Sequence, residues 1–196
     1  SGSVVLQGSA LQSVSGGGSF KNLTLDNASN VQLTGNISVS GNLRLENGLL
    51  ALNQYKLTLG TTSAIYDAAT GTGTSFSSTK MITTSGASSN AGLVKSFTSS
   101  GGSFTYPLGT GADYTPAVIN VTNASGSAGT VAVRPVSTEH PNVSASGTSL
   151  TYYWKVTKSG FGATPIATLS FPLNNFPALV PITTLNQSPS AALRAS

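Results

Sequence analysis

Residues 35–60 read GNISVSGNLRLENGLLALNQYKLTLG. Apolar and polar residues alternate in short bursts, and Asn or Gly breaks each burst after a few positions. Two apolar side chains set two residues apart point to the same side of an extended chain. The same unit starts earlier, in Asn22-Leu23-Thr24-Leu25 and Asn30-Val31-Gln32-Leu33. It continues through Asn36-Ile37-Ser38-Val39, Asn42-Leu43-Arg44-Leu45, Leu49-Leu50-Ala51-Leu52 and Lys56-Leu57-Thr58-Leu59. Gly35, Gly41 and Gly48 would interrupt any helix laid over this stretch.

Strands this short and this closely spaced are too crowded for a meander of hairpins. They predict a parallel β-helix, in which each coil supplies about three strands joined by tight corners and apolar side chains stack from coil to coil. Asn and Gly suit such corners because they accept positive φ at low cost, and Asn side chains are expected to stack along them. The competing reading is a β-sandwich with unusually short strands.

After a Ser/Gly/Asn-rich junction at 85–92 the pattern changes. Longer strands with aromatics are expected at Leu93–Phe97, Phe104–Tyr106, Ala117–Val121, Thr130–Arg134, Thr151–Val156 and Ile166–Phe171. The fold class expected is therefore all-β: a short parallel β-helix over 1–84, then an antiparallel β-sandwich over 85–171. Residues 172–196 carry several prolines and are expected to form an extended C-terminal arm or an edge strand.

Composition narrows the function classes. Only 7% of the residues are charged, against about a quarter in an ordinary domain, while 38% are hydrophobic. A disordered chain carries more charge and fewer aliphatics. The net charge is +4, yet the Lys and Arg residues are scattered and form no basic stripe, so no nucleic acid partner is expected. There is no cysteine, hence no disulfide frame and no Cys-ligated zinc. No apolar run approaches the ~20 residues of a membrane span. The chain opens at Ser1 and reads as a mature or trimmed product. Low charge with abundant Ser, Thr, Gly and Asn points to an extracellular or cell-surface location.

Chemistry is sparse. The acidic residues are Asp26, Glu46, Asp67, Asp113 and Glu139. Asp26 and Glu46 fall in neighbouring coils, where a glycosidase would place a carboxylate pair, but they read as corner residues. His140, the single histidine, sits in STEHPNV and reads as a loop residue; no G-x-S-x-G elbow accompanies it. Asp113 in TGADY offers one carboxylate toward calcium, short of the several oxygens that ion needs. GTGTSF and GTGADY lack the P-loop lysine and read as turns. No catalytic residue, metal or cofactor is expected. Tyr152 and Trp154 share one strand face, and burial decides between a core anchor and a platform for a sugar ring.

The stretches NLTLDNASNVQLTGNISVSGNLRLENGLLALNQYKLTLG (22–60), FTYPLGTGADYTPAVINVT (104–122) and YYWKV (152–156) together resemble large surface and secreted proteins of the Bacteroidota exported by the type IX (Por) secretion system. The resemblance implies coils running into a sandwich-like region, and a role as adhesin, matrix protein or spacing scaffold with no shared catalytic residues.

A β-helix has open ends, and an open end is a set of exposed sheet edges. Both terminal segments are apolar, so Val4, Val5 and Leu6 at one end and Leu179, Val180 and Ile182 at the other are expected subunit contacts. The expected function is a non-enzymatic structural subunit of a surface fibre or matrix. Its partners would be copies of itself, by head-to-tail stacking or strand exchange, or other cell-surface components. The alternative is a glycan-binding or adhesin module of a larger secreted protein.

Overall fold

The structure, a computed structural model, describes residues 3–67, 75–84, 91–111, 113–124, 126–142, 151–162, 165–171 and 191–192. Among these residues every regular element is a strand. The first coil is β1 (Ser3–Gln7), β2 (Gln12–Val14) and β3 (Ser19–Phe20). The second is β4 (Asn22–Asp26), β5 (Val31–Leu33) and β6 (Ile37–Val39), and the third is β7 (Leu43–Asn47), β8 (Leu50–Ala51) and β9 (Lys56–Leu59). All six units read from the sequence are therefore strands, two coils' worth. A looser fourth circuit holds β10 (Ile65–Tyr66), β11 (Ile82–Thr83) and β12 (Gly92–Phe97).

Corresponding strands stack in parallel to make three walls: β1-β4-β7-β10, β2-β5-β8-β11 and β3-β6-β9-β12. This is a β-solenoid of about three turns. The register sets Leu23 beside Leu43, Val31 beside Leu50 and Ile37 beside Leu57. The period-2 pattern thus becomes a vertical one, with like residues stacking inside. Leu23, Leu25, Leu33, Val39, Leu43, Leu45, Leu50, Leu57 and Leu59 are all fully buried. Burying each such leucine contributes about 1.5–3 kcal/mol, which is what such short strands need.

The corners staple one coil to the next. The Asn30 Oδ1 accepts the Leu49 N–H at 2.8 Å, the Asn22 Oδ1 that of Asn42 at 2.8 Å, and the Asn36 Oδ1 that of Lys56 at 2.9 Å. The expected Asn stacking is thus side chain to backbone, about one coil apart. Asn30 and Asn53 adopt positive φ, and Gly48 does so at +80° with no room for a Cβ against the Asn27 carbonyl.

Two walls continue past the junction. β14 (Leu108–Thr110) lies parallel to β11, and β15 (Asp113–Tyr114) folds back antiparallel on β14. β12 runs parallel to β9 on one edge and antiparallel to β17 (Gly129–Val136) on the other. β18 (Tyr153–Ser159) and β20 (Ala191–Ala192) extend that wall. A separate antiparallel sheet holds β13 (Gly102–Tyr106), β16 (Ala117–Asn123) and β19 (Ile166–Ser170). The six longer strands expected after the junction are all present, and their inward residues share one buried cluster with the solenoid.

Candidate functional site

The first coil differs from every coil above it. In the second and third coils the inward side chains are buried to the last few per cent, whereas no residue from Ser3 to Phe20 is buried. The cause is geometric. β1, β2 and β3 each end a wall, so each pairs on one edge only. Val4 and Leu6 lie in register with the core residues Leu23 and Leu25, and Val14 and Phe20 with Leu33 and Val39. By that register they face the bore, and among the described residues no strand pairs with their outer edges. Val4 is 41% exposed, Val5 50% and Leu11 56%.

Apart from the shortness of β2 and β3, this end carries no charged or proline guard of its sheet edges. Residues 3–20 contain no charged residue, no histidine and no proline. They are held upward by polar contacts to the second coil. Asn27, itself fully buried, donates through Nδ2 to the Ala10 carbonyl and the Gln12 Oε1, both at 2.9 Å. Ser19 and Ser38 share a 2.8 Å hydroxyl contact. The end is therefore an ordered, uncharged ring of strand edges around an apolar centre.

Of the expected subunit contacts, Val4, Val5 and Leu6 lie together on β1 at this end. Leu179, Val180 and Ile182 lie outside the described residues. Leu11 also belongs to the surface. Sequence reading passed over it because a single leucine between Ala10 and Gln12 has no period.

Trp154 is a core anchor. It is 2% exposed, its Nε1–H donates to the Thr115 carbonyl at 3.0 Å, and its ring meets Phe171 at 4.5 Å and the edge of Tyr152 at 5.3 Å. A sugar platform needs an open ring face, which Trp154 lacks. Tyr152 is half-buried against it.

The remaining candidates are dispersed. The register slips between Leu25 and Asp26, so Asp26 faces Asn47 and accepts its side-chain amide. His140 packs edge-on against Tyr153 at 4.9 Å, and its Nδ1 accepts the Asn142 N–H at 3.2 Å, as a turn residue would. Asp113 lies in the short β14–β15 hairpin, opposite Thr110. Among the described residues no three His, Cys, Asp or Glu side chains gather to hold a metal, and no helix is long and apolar enough to cross a membrane. An open groove of about 360 Å³ runs between the corners at Ala28–Asn30 and Asn47–Leu49 and the turn Ser78–Lys80. Its polar groups are engaged within the chain: Asn30 Oδ1 with the Leu49 N–H, and Lys80 Nζ with the Asp67 carbonyl.

Two basic residues, Lys95 and Arg134, are buried. Lys95 is 4% exposed on β12, and its ammonium donates to the carbonyls of Gly60 and Thr61 and lies 5.2 Å from the centre of the Phe104 ring. Burial pushes it down to about 8 from its ordinary 10.5. Its donors close a corner, a structural task.

No protein-family model matches this chain, and no curated protein or solved structure matches it either.

Proposed function

We propose that this chain is a non-enzymatic structural protein of the cell exterior, a self-associating subunit of a surface fibre or matrix. The observation that supports the reading is the uncharged first coil, whose strands, among the described residues, pair on one edge only. Unpaired strand edges around exposed Val4, Val5 and Leu11 form a template for further strands, and no charge in residues 3–20 opposes one. Low overall charge removes long-range repulsion between copies. The resemblance of residues 22–60, 104–122 and 152–156 to type IX cargo supports the exterior location. We read β12, β17 and β18, facing the β13-β16-β19 sheet, as the two layers of a sandwich that closes the far end.

The glycan-binding alternative loses its platform with the burial of Trp154. Sedimentation velocity and negative-stain microscopy of the full chain test the structural reading, with Val5→Lys beside it. Val5 is half exposed, so the lysine leaves the core intact. Concentration-dependent assemblies that Val5→Lys weakens at least tenfold are expected. A monomer at every concentration overturns the proposal.

A further inference from the structure

We infer that the outer face of the third wall carries a site for an acidic polysaccharide, in which Arg134 takes an oxyanion flanked by Lys56 and Lys155. The inference goes beyond self-association and uses a different face of the molecule.

Register builds the site from residues far apart in the chain. On β9, Leu57 is buried in the core, so Lys56 beside it faces out, and it pairs with Gly92 of β12. One step along from the Leu93 and Val133 pair, Gly92 meets Arg134 of β17. A Cβ on Gly92 would lie 3.7 Å from that of Arg134. Arg134 in turn stands directly opposite Lys155 of β18. The four positions form one row across four adjacent strands, with ends roughly 14 Å apart at the usual strand spacing. Gly92 leaves the middle of the row without a side chain. Tyr153 lies two residues from Lys155 and so shares its face.

The row is short of negative charge. Arg134 is 5% exposed, and its Nε and Nη1 are buried with no hydrogen-bond partner. Lys155 is half-buried and Lys56 exposed. None of β9, β12, β17 and β18 contains Asp or Glu. Like charges directly opposite on neighbouring strands repel, and a buried guanidinium without an acceptor weakens a fold. Burial lowers the Arg134 pKa, and Tyr153 offsets that only in part. An oxyanion supplies what is missing: acceptors for the guanidinium N–H groups and a charge opposite to the cations on either side.

The surroundings of the row point to a sugar chain as the carrier. Ser19, Ser38 and Thr58 stand in register on β3, β6 and β9 and face out, so hydroxyls continue the same surface. The aromatic ring at the row, Tyr153, is met edge-on by His140 at 4.9 Å, and one such ring is no platform for successive bases. Three cations are also few for a nucleic acid backbone.

Calorimetric titration of the full chain at low salt tests the site. The probes are polygalacturonate, which bears carboxylates, dextran sulfate, neutral dextran and single-stranded DNA. The inference expects binding of polygalacturonate or dextran sulfate, the tighter of the two naming the oxyanion, and none of neutral dextran. Lys56→Gln and Lys155→Gln should each weaken it several-fold, Arg134→Met at least tenfold, and Lys21→Gln, outside the row, not at all. Without ligand, Arg134→Met should raise the urea midpoint, because it removes an unpaired buried charge; a purely structural arginine would lower it. Failure to bind either acidic polymer, or binding that the two lysine variants leave unchanged, overturns the site. Tighter binding of DNA than of both polymers overturns the polysaccharide and makes the row a nucleic acid contact.

Discussion

Lys95 stands in register beside Leu59, in a stack where Phe20, Val39 and Leu59 precede it up the third wall and the buried Val131 follows. A charged residue thus sits within a column of core side chains. It can sit there because the chain leaves β9 through Gly60 and Thr61, whose carbonyls take the ammonium.

That position makes stability depend on alkaline pH. The folded chain holds the Lys95 proton less tightly than the unfolded one, with a value of about 8 against 10.5. The unfolded state therefore binds more protons between these values, and stability rises with pH across that window. Below pH 8 the full cost of the buried charge is present. Tyr106 and Tyr114 act the other way, since burial raises both, Tyr114 to about 12. Their contribution is present below pH 10 and lost as pH climbs through their folded values. Urea midpoints measured from pH 7 to 11 should rise above pH 8 and fall beyond pH 10. Lys95→Met should remove the rise and leave the fall.

Two glycines at positive φ should separate conformation from contact. Gly17 at +81° has open space where a Cβ would sit, whereas at Gly48, +80°, the Cβ would collide with the Asn27 carbonyl. Gly17→Ala should cost only the left-handed penalty of about 1–2 kcal/mol. Gly48→Ala should cost roughly twice that or more, because backbone must move. Chemical denaturation of the two variants checks the difference.

The corner asparagines should differ among themselves. Asn36→Ala removes the acceptor for the Lys56 N–H in an exposed setting and should cost about 1 kcal/mol. Asn30→Ala loses the Leu49 N–H contact and also forces alanine to a φ of +73°, so it should cost about 1–2 kcal/mol more. Asn30→Gly should recover most of that extra cost, read as a shift in the urea midpoint.

Trp154 is the single tryptophan and is 2% exposed. Its emission should be blue-shifted and poorly quenched by acrylamide in the folded chain, and both properties should be lost on unfolding. Trp154→Phe should cost about 1–3 kcal/mol, because the buried Thr115 carbonyl loses its donor. A red, readily quenched emission from the folded protein would contradict the core assignment.

Much of the solenoid was legible beforehand. Alternation in Leu23–Leu25 or Leu57–Leu59 states which side chains face inward, and Asn or Gly between bursts states where the chain turns, because both follow from local backbone geometry. The longer strands around Val131 and Ile119 were legible for the same reason. Lys95 was not, since the polar member of a strand is ordinarily read as facing out. Nor was Trp154: alternation places it with Tyr152 but says nothing of what packs over that face.

By itself, then, the sequence determined the period, the inward set and the corners, all set within a few residues of chain. The tertiary structure alone decided that Ser3–Phe20 forms a coil whose strands, among the described residues, pair on one edge only, that Lys95 closes a corner, and that two walls run on past the junction. These depend on which edges find partners about a coil length or more away in the chain, and pairing over that distance is a property of the whole stack.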